Sequence, residues 1–228
     1  MFLCGKSIYM FECMILFSLT YFAGSIKSKV KMSGIIRVAT RNDAAGMLEI
    51  YAPFILNSGI TQETEVPSVE DFQQRIISNL EERPWLVCEI DNEIAGYAYA
   101  GKHRDRKGYQ WCTEPSVYIS EKYYGFGIAN ALYRALFDIL RIQGHVNAYA
   151  VITLPNDRSI AFHKKFGFEY LTTYKKIGYK LGQWHDVGWM QYEVNPHKEE
   201  PADPLKFSQI DNVVVDSILK KSSALLKK

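Results

Sequence analysis

Two short stretches of this chain hold residue types that could do chemistry. In the first, Tyr124-Gly125-Phe126-Gly127-Ile128-Ala129, two glycines and a small residue stand where a strand-like run gives way to a helical one. Small residues let the main chain come close to a ligand there. Free N–H groups of the first helical turn, backed by the helix dipole, then favour negative charge. In physical terms that is a pyrophosphate site, although a purely structural junction has the same composition. It is not GxGxxG, no acidic residue follows at dinucleotide spacing, and the Lys-Ser/Thr of a Walker loop is absent. The second stretch is LPNDRSIAFHKKFGF, residues 154–168. Asn156 can cap a helix or offer its amide to an amide-rich ligand. His163 follows seven residues later, two helical turns on, so the two share a face. By itself a lone helical histidine is more often packed or solvated than catalytic.

The elements that must position these residues alternate between strand and helix. Ile35–Ala39 reads as a strand. Thr40 with Asp43 forms a capping-box pattern before a helix through Met47, Leu48 and Tyr51, which Pro53 is expected to close. Ser68 with Asp71 repeats the device before Phe72, Ile76 and Leu80. Trp85–Ile90 and Ile94–Ala100 flank Asp91-Asn92 as a hairpin, and Glu114–Ser120 follows a polar loop at 101–110. Apolar residues at Ile128, Leu132, Leu136 and Leu140 mark a helix ended by Gly144. Val146–Ile152 is an apolar strand, Asn156–Phe166 a short helix stopped by Gly167, and Phe168–Tyr174 and Val187–Val194 are two last strands.

Composition bounds the class. The 228 residues hold 27 Lys+Arg against 25 Asp+Glu, a formal charge of +2, with 47% apolar residues. This excludes a disordered or collagen-like chain, and the near balance argues against nucleic acid as a partner. Aromatic content is 14%, with 15 Tyr, which suits a pocket-forming domain. Cys4, Cys13, Cys88 and Cys112 form no CxxC pair or His/Cys cluster at metal-ligand spacing, so no metal is expected and the thiols read as reduced and cytoplasmic. Residues 1–33 stand apart. The run 8–24 is apolar except for Glu12, and so is either a signal or membrane anchor or part of an upstream start before Met32. Membrane contact, or a secretory route, is expected only if that run is a real anchor or signal. Residues 34–195 read as one domain. Residues 196–228 read as a linker followed by a basic amphipathic tail over Val213–Lys228.

The element order, the small-residue turn and the pattern Asn-x6-His-x3-Gly-Phe together resemble the GNAT acetyltransferase superfamily. The likeness extends to its phosphinothricin and methionine sulfoximine acetyltransferase group. Matching runs are Pro84-Trp85-Leu86-Val87, Ala95-Gly96-Tyr97-Ala98-Tyr99-Ala100-Gly101, Ser116-Val117-Tyr118-Ile119-Ser120, Leu154-Pro155-Asn156-Asp157 and Gly182-Gln183-Trp184-His185-Asp186-Val187-Gly188. The resemblance spans about residues 35–194. It implies an α+β, three-layer fold: a mixed, mostly antiparallel sheet with helices on both faces, in the order β-α-α-β-β-β-α-β-α-β-β. It also implies acetyl-CoA as co-substrate, a small amino acid or analogue as acceptor, and a homodimer.

By the same resemblance, backbone groups of Val117, Tyr118 and Ile119 pair with the pantetheine arm. Gly125, Phe126, Gly127, Ile128, Ala129 and Asn130 cradle the pyrophosphate, and Asn156 binds the cofactor amides. Glu114 matches the general base and His163 a catalytic or polarising histidine. Arg104, Arg106 and Tyr109 match substrate-holding positions, and Trp184 a pocket wall, across a dimer interface in some arrangements. The chemistry suits these types: an ammonium must lose a proton before it attacks a thioester, and a carboxylate raised by burial can take it. Two positions depart from the family. Tyr124 opens the Q/R-x-x-G-x-G/A pattern and Gly125 replaces a basic residue, which implies weaker cofactor affinity. Gln62 stands where relatives carry an aromatic residue, which implies a different or more polar amine. The other readings are a catalytically weak CoA-binding regulator and an enzyme acting on protein N-termini, which Arg106 and Trp184 closing the pocket would disfavour.

Overall fold

The computed structural model describes residues 34–226. The apolar run at 8–24, Cys4 and Cys13 lie outside them, and with them the reading of a leader or anchor. Described elements are β1 (Gly34–Val38), α1 (Ala44–Asn57), α2 (Val69–Glu82), β2 (Trp85–Ile90), β3 (Glu93–Lys102), β4 (Cys112–Ile119), α3 (Ile128–Gln143), β5 (Asn147–Leu154), α4 (Asp157–Phe166), β6 (Glu169–Lys180), β7 (Gln183–Glu193) and α5 (Asn212–Ser223). Up to β7 their order is the expected one. The sheet runs β1-β2-β3-β4-β5-β7-β6, antiparallel throughout except between β4 and β5.

Local chemistry explains the helix starts. Ser68 Oγ accepts from the Asp71 N–H at 3.0 Å and opens α2. Ahead of α1, the Asp43 carboxylate accepts from the Thr40 N–H at 2.7 Å. The same carboxylate takes both arms of the Arg37 guanidinium at 2.7 and 2.8 Å, and Arg37 also reaches Glu89. Burial opposes the charge on Asp43, but the bonds from Arg37 and Thr40 outweigh it and hold this carboxyl below the usual range.

Helices cover both faces of the sheet. On one, α3 packs Leu132, Leu136, Phe137 and Leu140 against Leu86, Ala98, Ala148 and Met190. On the other, α1 and α2 bring Met47, Tyr51, Phe72 and Ile76 against Trp85, Val87 and Tyr97. Burying each large apolar side chain contributes about 1.5–3 kcal/mol, so these two layers hold the sheet rigid under the site.

Three sequence expectations are corrected. Pro53 does not end α1, which continues to Asn57. Pro53 and Glu49, whose carbonyl the proline leaves unbonded, are both exposed, so water can satisfy that carbonyl while Ile50, Tyr51 and Ile55 keep the inner face buried. β6 does not stop at Tyr174 but runs to Lys180 and turns into β7 through Leu181 (φ +52°) and Gly182 (φ +77°). Two positive-φ residues between the paired Lys180 and Gln183 form the tight hairpin turn that right-twisted strands favour. The segment after Pro196 is no free linker. Trp111 Nε1 donates to the Ala202 carbonyl at 2.8 Å, the Gln143 amide donates to the carbonyls of Glu82 and Leu205, and α5 buries Val215 and Leu219 against the core. The helix is shorter than the expected 213–228, and its apolar face is covered by the domain. Ser223 Oγ accepts from the Ile36 N–H of β1 at 2.8 Å.

Candidate active site

β4 and β5 pair only at Cys112↔Asn147 and Thr113↔Ala148 and then diverge. Beyond Thr113 the β5-facing backbone groups of β4 have no strand partner, and Pro115 has no N–H to offer. A small cavity fills the gap, lined by Ser116, Val117, Tyr118, Ile152, Asn156 and His163. It shares lining residues with a cleft of about 250 Å³ that adds Ile119, Tyr124, Ala129 and Arg158. That cleft in turn shares residues with one of about 430 Å³ that adds Gly125, Gly127, Ile128, Asn130, Arg134 and Lys165. Together they make one groove from the sheet gap to the start of α3.

The glycine turn is shaped for an anion. Gly125 (φ +88°) and Gly127 (φ +80°) both take left-handed backbone, and Gly127 caps α3. The first intrahelical bond is Ala131 N–H to Gly127 O, at 3.0 Å, leaving the N–H groups of Ile128, Ala129 and Asn130 without intrahelical acceptors. Open space stands where a Gly125 Cβ would be. A diphosphate fits on these donors, and an amide-bearing arm fits along the unpaired edge of β4. The Phe126 side chain packs on the core beside Tyr123, so what this residue offers the turn is its backbone. Asn156 is the helix cap, its Oδ1 accepting from the Ser159 N–H at 3.1 Å, while its side chain also lines the groove.

Glu114 pairs with Gly101 across β3–β4, so it projects to the α1/α2 face beside Ser116 and Tyr118. Its Oε1 lies 2.7 Å from His103 Nδ1. Burial raises the Glu114 pKa, and the hydrogen bond from His103 and the charge of Arg104 only partly offset this. A carboxylate with raised proton affinity is a better base than one in water. His103 is held in turn by aromatic rings: it stacks on Tyr149 at 4.8 Å and meets the edges of Trp189 and Tyr109 at 6.0 and 6.1 Å.

His163 is 5 % exposed, and both its nitrogens are engaged. Nδ1 lies 2.8 Å from the Ser159 carbonyl and Nε2 lies 3.0 Å from the Tyr133 hydroxyl. Donating to the carbonyl from Nδ1 leaves Nε2 to accept from Tyr133, which is the neutral tautomer. Burial lowers the His163 pKa, against the opposing pull of the Ser159 carbonyl, and reinforces that state.

The expected substrate residues divide. Tyr109 meets His103, and Arg104 lies close enough to Glu114 to act on its charge. Arg106 is exposed ahead of a single turn at Lys107–Tyr109. Trp184 is 59% exposed on β7, its ring against Tyr179 of β6 at the hairpin end, and Trp189 of the same strand is the one that meets His103. Tyr118 is half-buried, its ring packed among Tyr51, Phe54 and Tyr97 while the residue also lines the groove. Gln62 spans the gap with its amide: Nε2 donates to Thr153 Oγ1 at 3.0 Å and anchors the α1–α2 loop to β5.

His103, Tyr149, Trp189 and Tyr133 escaped sequence reading. The strand register was the one available signal for His103, since pairing Gly101 with Glu114 brings residue 103 over the carboxylate. Among the described residues, no group of three or more His, Cys, Asp or Glu could hold a metal ion.

The profile of the acetyltransferase (GNAT) domain family matches residues 36–189. The phosphinothricin N-acetyltransferase of Streptomyces viridochromogenes is 36% identical over 169 residues, covering 74% of this chain and 90% of that protein. The L-methionine sulfoximine/L-methionine sulfone acetyltransferase of Pseudomonas paraeruginosa is 32% identical over 172 residues, covering 75% of this chain and all of that one. Among solved structures, a GNAT superfamily phosphinothricin acetyltransferase from Sinorhizobium meliloti in complex with acetyl-CoA superposes with a TM-score of 0.70 at 30% identity. It covers 77% of this chain and 99% of that one.

Proposed function

The chain belongs to the GNAT family and is an N-acetyltransferase, and on that premise we propose that it moves an acetyl group from acetyl-CoA to the amino group of a small amino acid or analogue of the phosphinothricin or methionine sulfoximine kind. The observation that carries the reading is the β4–β5 divergence, which opens a groove from Ser116 and His163 to the glycine turn. The amine nitrogen attacks the thioester carbon of the acyl donor, the C–S bond breaks as the C–N bond forms, and CoA leaves as a thiolate that takes its proton from solvent. Unpaired backbone groups at Val117–Ile119 hold the donor's arm, and the N–H groups of Ile128, Ala129 and Asn130 hold its diphosphate.

Glu114 takes the proton from the acceptor ammonium, directly or through water, and His103 aims its carboxylate. Arg104 pairs with the acid group of the acceptor, a match a guanidinium makes in two hydrogen bonds. His163, with both nitrogens engaged, acts here as a positioning residue that fixes Tyr133 and the start of α4. The open apolar hairpin of β6 and β7, with Ile177, Tyr179, Leu181 and Trp184 all more than half exposed, supports a homodimer in which Trp184 walls the partner's pocket. Two free thiols, Cys88 and Cys112, support a reducing, cytoplasmic setting.

A thiol-release assay with acetyl-CoA against free amino acids, phosphinothricin, methionine sulfoximine and short peptides tests the reading. Glu114→Gln is expected to lower kcat by about 10²–10⁴ with unchanged CoA affinity. CoA binding without turnover of any amine overturns the activity. Turnover of peptides alone overturns the substrate class, and an unchanged kcat removes Glu114 as the base.

A further inference from the structure

We propose that Arg158, on the first turn of α4, supplies the diphosphate-binding cation that the glycine turn itself lacks. From Tyr123 to Tyr133 the turn and the start of α3 contain no Lys or Arg. Lys122, just before, is already bonded to Glu93. An anion on the turn would therefore meet only backbone N–H groups.

Arg158 reaches the same place from across the groove. Its guanidinium carbon lies 3.8 Å from the centroid of the Tyr124 ring, so the tyrosine that opens the turn is the platform on which the cation rests. Among the described residues Arg158 forms no ion pair, and it is exposed. It lines both the part of the groove bounded by Val117 and His163 and the part bounded by Gly125 and Asn130. That places it at the boundary between the arm and the nucleotide end, where a diphosphate would sit. Arg134, over the Phe166 ring, and Lys165 line only the farther part. A cation beside a helix N-terminus is disfavoured by the dipole. Here the starts of α3 and α4 and the Arg158 fork all face one cleft, an arrangement that a bound anion would relieve. Tyr124 and Gly125 thus relocate the basic contact from the turn to α4, and the weaker affinity they imply from sequence does not follow.

This assignment rests on the acetyl-CoA reading, and the ligands are chosen to separate the two. Dissociation constants for CoA, dephospho-CoA and pantetheine are measured by calorimetry on the full chain, wild type, Arg158→Gln, Arg158→Lys and Tyr124→Ala. Arg158→Gln is expected to weaken CoA and dephospho-CoA alike by about tenfold or more, the size of a lost hydrogen bond to a charged group. It should leave pantetheine binding unchanged and flatten the salt dependence for CoA. Arg158→Lys should recover part of the loss, and Tyr124→Ala should cause a smaller loss of the same pattern. Equal CoA affinity in wild type and Arg158→Gln overturns the proposal. A loss for CoA but not for dephospho-CoA also overturns it, by moving the contact to the 3′-phosphate. If the wild-type chain binds no CoA at all, the acetyl-CoA reading itself falls.

Discussion

Replacing His103 by Phe isolates what holds the proposed base in its working state. Phe keeps the flat ring that stacks on Tyr149 at 4.8 Å and removes both ring nitrogens, with the N–H that faces Glu114 at 2.7 Å. A hydrogen bond to a charged group is worth about 1.5–3 kcal/mol, and one pKa unit corresponds to about 1.36 kcal/mol. Full loss would thus raise the Glu114 pKa. The Glu114 side chain is 33% exposed, so water replaces part of what His103 gave, and the lower end of that energy range is expected. The direction follows from which form is stabilised: the N–H favours the carboxylate, so its loss favours the protonated acid. The acid limb of kcat/KM, measured by thiol release at fixed ionic strength, should move to higher pH by about one unit. Well above the limb, the variant should match wild type. The acceptor's own ammonium titration is common to both enzymes and cancels in the comparison. A limb that stays in place, or moves to lower pH, refutes Glu114 as the titrating base, whatever the size of the rate change.

Tyr133→Phe leaves His163 Nε2 buried without its donor, a cost of about 1–3 kcal/mol. The melting temperature should drop by roughly 2–10 °C, and an unchanged value would show that the bond carries no stability. Asp43→Asn removes the negative charge and one of the two acceptor oxygens of the paired Arg37 bonds, at about 1–3 kcal/mol at neutral pH. Because the folded pKa of Asp43 is depressed, its contribution is present above the ordinary carboxylate range and is lost as pH falls through the folded value. Urea titrations should show the gap between the variants closing in acid, and a constant gap would contradict the pairing. Gly96→Ala places a Cβ 2.9 Å from the Tyr118 carbonyl and 2.5 Å from Ile119 Cδ1. Since backbone cannot yield cheaply, it should destabilise by about 1–3 kcal/mol and weaken CoA binding through the shifted Ile119, both read by CoA-dependent thermal shift.

Features built from neighbouring residues were legible in the sequence. Ser68 and Asp71, the spacing of Leu132, Leu136 and Leu140, and the stops at Gly144 and Gly167 each announce an element in a few positions. Asn156 and His163 were placed on one helix by spacing alone, and both line the groove. Features made by distant partners were not. Lys175 and Lys176 break the apolar pattern that marks β6, and only pairing with β7 carries the strand on to Lys180. The charged composition after Pro196 hid the few apolar positions by which α5 docks. Glycine-turn spacing could not tell that Phe126 faces inward, because the backbone at Gly125 and Gly127 decides which side it presents. His103 and Arg158 acquire their partners only through the register of β3 on β4 and the approach of α4 to Tyr124.

The two ends of the sheet are treated differently. At β1 the Ile36 N–H is already spent on Ser223, and α5 lies along the strand. At β6 the twelve-residue outer strand has no neighbour beyond it among the described residues. Among the described residues, strand-edge pairing is therefore obstructed by α5 at β1 and open at β6, so a second strand would find its free backbone donors and acceptors on the β6 side.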